Sequence, residues 1–179
     1  MRVALLHYTF EVAGGGERLA LSMARALREM GHEVDIYTTY LDERVWSLIA
    51  EPGDPRPRLL SPGLRASLLM KLSRKRLYRL RWLAAAASVA PRLKAQGGYD
   101  LYIDTRSNVP LDLDVSYIHY PAALDYVADM GVKVGLARRV YDWLVMAEAR
   151  RVASRPLMVL ANSAWTAGKV RQAYGLEAR

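Results

Sequence analysis

A glycine triplet, Gly14-Gly15-Gly16, stands between an apolar run and a helix-period segment that opens with Glu17 and Arg18. Glycines in that place let backbone N–H groups approach an anion, and the helix N-terminus adds partial positive charge suited to a phosphate. A plain turn needing φ > 0 uses glycine equally well. Two named motifs are absent. There is no G-x-x-x-x-G-K-[ST], and Leu19 stands where a dinucleotide fingerprint would carry its last glycine, which argues against a nicotinamide-dependent dehydrogenase.

Three further polar runs follow apolar ones. His119, in His119-Tyr120-Pro121, comes directly after Val115 to Ile118 and can donate a hydrogen bond to a substrate hydroxyl or to charge developing in a transition state. A loop histidine bonded to backbone explains it as well. Asp104-Thr105-Arg106-Ser107-Asn108 can bind a polar substrate or cap its own loop. Asn162-Ser163-Ala164-Trp165-Thr166 offers a helix cap at Ser163, which leaves Trp165 unexplained. His7 ends the first apolar run and His32 follows a glycine; three scattered histidines and zero cysteines give no metal-ligand spacing, so no metal is expected. No G-x-S-x-G supports a serine hydrolase.

The elements that must position these groups alternate between strand and helix. Val3 to His7 suits a doubly covered strand, and Leu19, Met23, Ala26, Leu27 and Met30 mark one face of a helix ended by Gly31. Val34 to Thr38 completes a β-α-β unit. Proline-rich Glu51 to Pro62 reads as loop, and two helices are expected beyond it, with Leu69, Leu72, Leu80 and Leu83 on one stripe and Pro91 obscuring the end. Tyr99 to Asp104, Val115 to Ile118 and Leu157 to Leu160 read as strands. Leu136, Val140, Trp143, Leu144 and Ala147 make the apolar face of a long helix, and a last helix runs to Tyr174, closed by Gly175. This predicts an α/β fold: a Rossmann-like, mainly parallel sheet with helices on both faces and ligands at the carboxyl ends of the strands.

The chain has 179 residues, enough for one domain, and no apolar run approaches the roughly 18 residues of a membrane span. The apolar run at the N-terminus is too short for a signal peptide, so a cytoplasmic setting is expected. The net charge of +8 is unevenly spread. From Pro55 to Tyr99 there are eleven basic residues and no acidic one, while the rest of the chain balances to −3.

The order Gly14-Gly15-Gly16-Glu17-Arg18, Tyr117-Ile118-His119-Tyr120-Pro121 and Ala161-Asn162-Ser163-x-Trp165-Thr166 resembles the N-terminal, acceptor-side domain of a family 4 retaining glycosyltransferase of the GT-B fold. It looks most like the branch containing the mannosyltransferases that extend dolichol-linked oligosaccharides. The resemblance covers essentially residues 1–179 as a single Rossmann-like domain with a basic helical insert at about 55–97. It implies transfer of a hexose, mannose above others, from a GDP- or UDP-sugar to a lipid-linked or other glycan acceptor, with no cofactor. By the same resemblance Gly14, Gly15 and Gly16 lie against the donor phosphates or the acceptor. His119 contacts the transferred sugar, and Arg106, Asn108, Tyr120 and Ser163 line the site. The donor-binding C-terminal domain of such enzymes has no counterpart here, so a partner domain in cis or in trans is expected and the chain alone is expected to be inactive.

A lipid-linked acceptor gives the insert a role. Arg74, Lys75, Arg76 and Arg79 would face an anionic membrane surface, placing the protein peripherally on the cytosolic face of a membrane. A solvated arginine-rich face is the plain alternative. Two other functions stay open: a non-catalytic, membrane-attached acceptor-binding subunit, and a nucleic-acid-binding domain. Against the latter, the insert interleaves only Tyr78 and Trp82 with its cations and carries no nucleic-acid motif, so no nucleic-acid partner is expected.

Overall fold

In a computed structural model of the chain, residues 1–64, 66–68 and 77–179 are described. Strand β1 (Arg2–Leu6) is central, and Val3, Ala4, Leu5 and Leu6 are wholly buried because both its faces are covered. Val3 and Leu5 point to one side and Ala4 and Leu6 to the other, as the two-residue period of a strand requires. A short β2 (Thr9–Phe10) follows, then α1 (Gly15–Glu29), β3 (Glu33–Thr38), β4 (Tyr40–Leu41), α2 (Glu43–Ile49) and β5 (Arg58–Leu59). After α3 (Tyr78–Gln96) come β6 (Leu101–Asp104), β7 (Val115–Ile118), the single turn α4 (Tyr126–Asp129), α5 (Leu136–Val152), β8 (Met158–Ala161) and α6 (Ala164–Tyr174).

The main sheet has six strands in the order β5-β3-β1-β6-β7-β8, and every pairing in it is parallel. The chain winds outward from β1 in one direction to β3 and β5, then returns to β6 on the other flank. The loops leaving β1 and β6 therefore diverge, and a crevice opens at their carboxyl ends. One layer, α1 and α2, packs on Val3, Leu5, Val34, Ile36 and Ile103. The other, α3 and α5, packs on Ala4, Leu6 and Tyr37 through Leu83, Val89, Leu93, Val145 and Ala149.

The fold is the expected Rossmann-like α/β sheet, with local corrections. Helix α1 begins at Gly15, two residues before the expected start, and its inner face is Glu17, Ala20, Leu21 and Ala24, while Met30 is exposed. The proline-rich loop contributes the edge strand β5, which pairs with Tyr37 and Thr38. Pro91 lies inside α3. Leu69 and Leu72 of the expected stripe fall outside the described residues.

The largest departure is α5. Its buried residues are Asp142, Val145 and Ala149, whereas Leu136, Val140, Trp143 and Leu144 of the expected core face are exposed. Asp142 can turn inward because two guanidiniums meet it, Arg79 Nη1 at 2.7 Å and Arg138 Nε at 2.7 Å.

Candidate active site

The crevice at the carboxyl ends of β1, β6 and β7 encloses about 300 Å³ and is lined by Tyr8, Gly16, Arg79, Trp82, Arg106, Asn108 and His119. Gly14 is the N-cap of α1 at φ −95°, and none of Gly14, Gly15 and Gly16 has positive φ, which removes the turn requirement as their reason. Space is the reason at two of them. A Cβ on Gly16 would lie 3.1 Å from Arg106 Nη1, 3.8 Å from His7 Cε1 and 3.9 Å from His119 Nε2. One on Gly14 would lie 2.9 Å from Glu17 Oε2, while nothing approaches Gly15 within 4 Å.

Glu17 occupies the first turn of α1, where the helix dipole favours a carboxylate, and its side chain is only 1% exposed. It accepts from the Arg106 guanidinium, which leans over the ring of Tyr8 at 5.8 Å. Burial works to raise the Glu17 carboxyl. The His7 imidazole, the residue's own N–H and the Arg106 charge outweigh it and hold the group below its ordinary range. His7 is fully buried, and burial, aided by Arg106, lowers it to about 4, so it is neutral. Its Nδ1 is hydrogen-bonded to Thr105 Oγ1 at 2.9 Å. Its Nε2 faces Glu17 Oε1 at 3.9 Å, beyond hydrogen-bonding distance.

On the β6 side, the buried Asp104 accepts from the backbone N–H groups of Arg106 and Ser107 at 3.2 Å and 3.1 Å, and from the Ser107 hydroxyl. It therefore shapes the loop that carries Arg106. Asn108 holds φ 55°, a left-handed conformation that asparagine tolerates, and its Oδ1 accepts from His119 N at 2.8 Å and Tyr120 N at 3.2 Å. Its amide thus fixes the start of the loop after β7.

His119 is the third wall. Its Nε2 lies 3.1 Å from the Thr105 carbonyl, which can only accept, so neutral His119 carries its proton there. Burial lowers its pKa, with the Arg106 charge acting in the same direction. The sequence suggests a hydrogen-bond donor; the structure spends that N–H on Thr105 and leaves Nδ1 as an acceptor.

Of the expected site residues, Gly16, Arg106, Asn108 and His119 meet at this crevice. Tyr120 lies in an adjoining hollow with Trp82, Asn108 and Arg138, its hydroxyl donating to Asp129 at 2.7 Å. Ser163 caps α6, accepting from Thr166 N at 3.1 Å, while Thr166 Oγ1 reaches the His119 carbonyl at 3.4 Å. Arg74, Lys75 and Arg76 fall outside the described residues. Arg79, grouped with them by sequence, lines the crevice instead and is held by Asp142. His7, Tyr8, Glu17, Trp82 and Asp142 are the residues that sequence reasoning missed. Glu17 is signalled by its place in a first helical turn and in the Gly14-to-Arg18 run, and nothing local marks the others.

Among the described residues, no group of three His, Cys, Asp or Glu side chains is placed to hold a metal, and no helix is long and apolar enough to cross a membrane. No curated protein matches the chain. The model of Glycosyltransferase Family 4 matches residues 13–179, from the residue before the glycine triplet onward, and the six-stranded parallel sheet is consistent with the N-terminal half of a GT-B fold. With a match over that length, the chain belongs to glycosyltransferase family 4.

Proposed function

We propose that this domain forms the acceptor side of a retaining transferase that moves a hexose, mannose above others, from a GDP- or UDP-sugar to a lipid-linked or other glycan acceptor. The observation that carries the reading is the meeting of Gly16, Arg106, Asn108 and His119 at the carboxyl ends of β1, β6 and β7. A neutral imidazole in the wall of the crevice orients a sugar hydroxyl and contributes dipolar stabilisation, a positioning role with no covalent bond to the sugar. Gly14 and Gly15, at the open end of α1, lie along the same route for donor phosphates or acceptor. The donor site belongs to a partner domain, in cis or in trans.

The test is a transfer assay in which this chain, joined to or mixed with a family donor-binding domain, is offered a panel of GDP- and UDP-hexoses with lipid-linked and free glycan acceptors. The expected outcome is transfer from one donor with the anomeric configuration kept. Absence of transfer across the panel, or an inverted product, overturns the reading.

A membrane-attached form of this function is favoured by α5. Its exposed apolar residues Leu136, Val140, Trp143 and Leu144 share the helix with the exposed Arg139 and Arg150, a composition suited to a surface that rests in a lipid interface without spanning it. With the cations of the insert, it supports a peripheral position on the cytosolic face of an anionic membrane. A non-catalytic acceptor-binding subunit would use the same face.

A further inference from the structure

A second cavity shares no lining residue with the crevice. It encloses about 270 Å³ where the end of α5, the loop before β8 and the end of α6 meet, and it is lined by Arg150, Ala153, Ser154, Arg155, Ala173 and Tyr174. Two of these carry guanidiniums, and neither meets a carboxylate among the described residues. Arg25, Arg79, Arg106, Arg138 and Arg151, by contrast, each hold an acidic side chain in an ion pair. Arg150 gives one N–H to the Ala123 carbonyl at 3.2 Å, and Arg155 makes no hydrogen bond or ion pair with a described residue.

The rest of the lining divides into a donor and a wall. Ser154 N donates to the Pro110 carbonyl at 2.6 Å, which fixes the loop, while the Ser154 hydroxyl has no partner among the described residues. The Tyr174 hydroxyl is engaged, donating to the Asn108 carbonyl at 2.9 Å and accepting from Ala123 N at 3.2 Å, so this residue closes the cavity with its ring. The last turn of a helix favours cations, which accounts for Arg150. Arg155 lies beyond that turn, in the loop, where the helix end exerts little pull.

Two unpaired like charges beside one cavity repel each other, and a shared anion relieves the repulsion. Guanidinium forks match both carboxylate and phosphate oxygens, so charge decides between them. A carboxylate answers one cation, whereas a phosphate monoester, at about −1.5 to −2 near pH 7, answers both. We propose that this cavity is a phosphate-monoester site, distinct from the transfer crevice, in which Arg150 and Arg155 hold the phosphoryl oxygens and the Ser154 hydroxyl donates to them. The site stands whether or not the transferase reading does. Its ligand has two sources, a soluble phosphate ester or the headgroup of a phosphatidic acid. The lipid source has access along α5, whose Trp143, Leu144 and Ala147 line an apolar groove with Leu80 and Ala84 before the helix reaches the cavity.

The experiment titrates the chain with inorganic phosphate, with glycerol 3-phosphate and, as a monoanion control, with acetate, following the Ser154 and Arg155 amide signals by NMR. Both phosphates are expected to move those signals, with an affinity at least about threefold weaker at about 500 than at about 50 mM salt, because the cations are exposed to screening. Acetate is expected to bind at least about tenfold more weakly, having one charge to offer. Arg155→Gln, at an exposed side chain without bonds, keeps the fold and is expected to weaken phosphate at least about fivefold. Unmoved Ser154 and Arg155 signals, acetate binding equal to phosphate, or an affinity indifferent to Arg155→Gln overturns the proposal. Given the phosphate response, vesicles of phosphatidic acid and of phosphatidylserine at equal surface potential identify the source. A preference for phosphatidic acid that Arg155→Gln removes assigns the site to a lipid headgroup, and equal binding assigns it to a soluble ester.

Discussion

Arg106 and Glu17, 89 positions apart in sequence, form one buried ion pair that fastens the loop after β6 to the first turn of α1. The pair closes the crevice where the sheet changes direction. Its energetics are asymmetric, because Glu17 is almost wholly buried and Arg106 retains some access to solvent. Arg106→Ala leaves an unpaired buried carboxylate and is expected to cost on the order of 3 kcal/mol. Glu17→Gln keeps a hydrogen-bonding partner and is expected to cost less. Urea unfolding of the two variants measures the order.

Gly16→Ala separates stability from function. The residue is helical, so alanine gains up to about 1 kcal/mol in helix propensity. Its methyl group would crowd Arg106 Nη1 at 3.1 Å. Thermal unfolding should move little, while transfer by the reconstituted enzyme should fall by about tenfold or more, the equivalent of roughly 1.4 kcal/mol.

Asn108 has two separable duties. Asn108→Gly keeps the left-handed backbone and loses the bonds to His119 N and Tyr120 N, an expected loss of about 1–3 kcal/mol. Asn108→Ala adds backbone strain and should be less stable than the glycine variant. Equal stabilities in a denaturant titration would assign no role to φ.

His119→Ala removes an imidazole that lines the crevice. In the reconstituted transferase it is expected to lower turnover by about 10²-fold while donor affinity changes little, as for a group acting on the reacting sugar. Unchanged turnover would take His119 out of the site.

The pH dependence of stability follows from two buried groups acting in opposite directions. His7 is lowered by burial from 6.5 to about 4, so the stability associated with its neutral form is present above 6.5 and is lost as pH falls to 4. Asp104 is raised by burial from 3.8 to about 6, so its contribution is full below 3.8 and is lost as pH rises through 6. Between pH 4 and 6 the two oppose each other. Asp104→Asn is expected to steepen the acid loss of stability, and His7→Gln to flatten it, in melting temperatures taken across that range.

Vesicle sedimentation tests the membrane face. Trp143→Ser with Leu144→Ser should lower binding to phosphatidylserine-rich vesicles without unfolding the domain, since both residues are exposed. Replacing Arg74, Lys75 and Arg76 by Ser should reduce it further, at about 1 kcal/mol per cation. Equal binding to neutral and anionic vesicles would reject the charge contribution.

Much of this fold could be read along the chain because its causes are local. Val115 to Ile118 is a strand at the expected bounds, and Ser163 and Gly175 close the two ends of α6, the latter at φ 65°. The glycine triplet, Arg106, Asn108 and His119 were legible as site candidates because each follows a strand in an α/β pattern. What those residues do was not legible. Periodicity shows that α5 is amphipathic, but which face turns inward depended on Arg79, a distant residue that neutralises Asp142 from another helix. The reason for Gly16 lies in the guanidinium of Arg106, and that for Glu17 in the imidazole of His7 and the same guanidinium. Local propensity is written in neighbouring residues, so the sequence by itself determined the elements and their order. The pairing of buried charges and the allocation of the His119 imidazole proton depend on groups brought together only by the sheet, and these the tertiary structure decided.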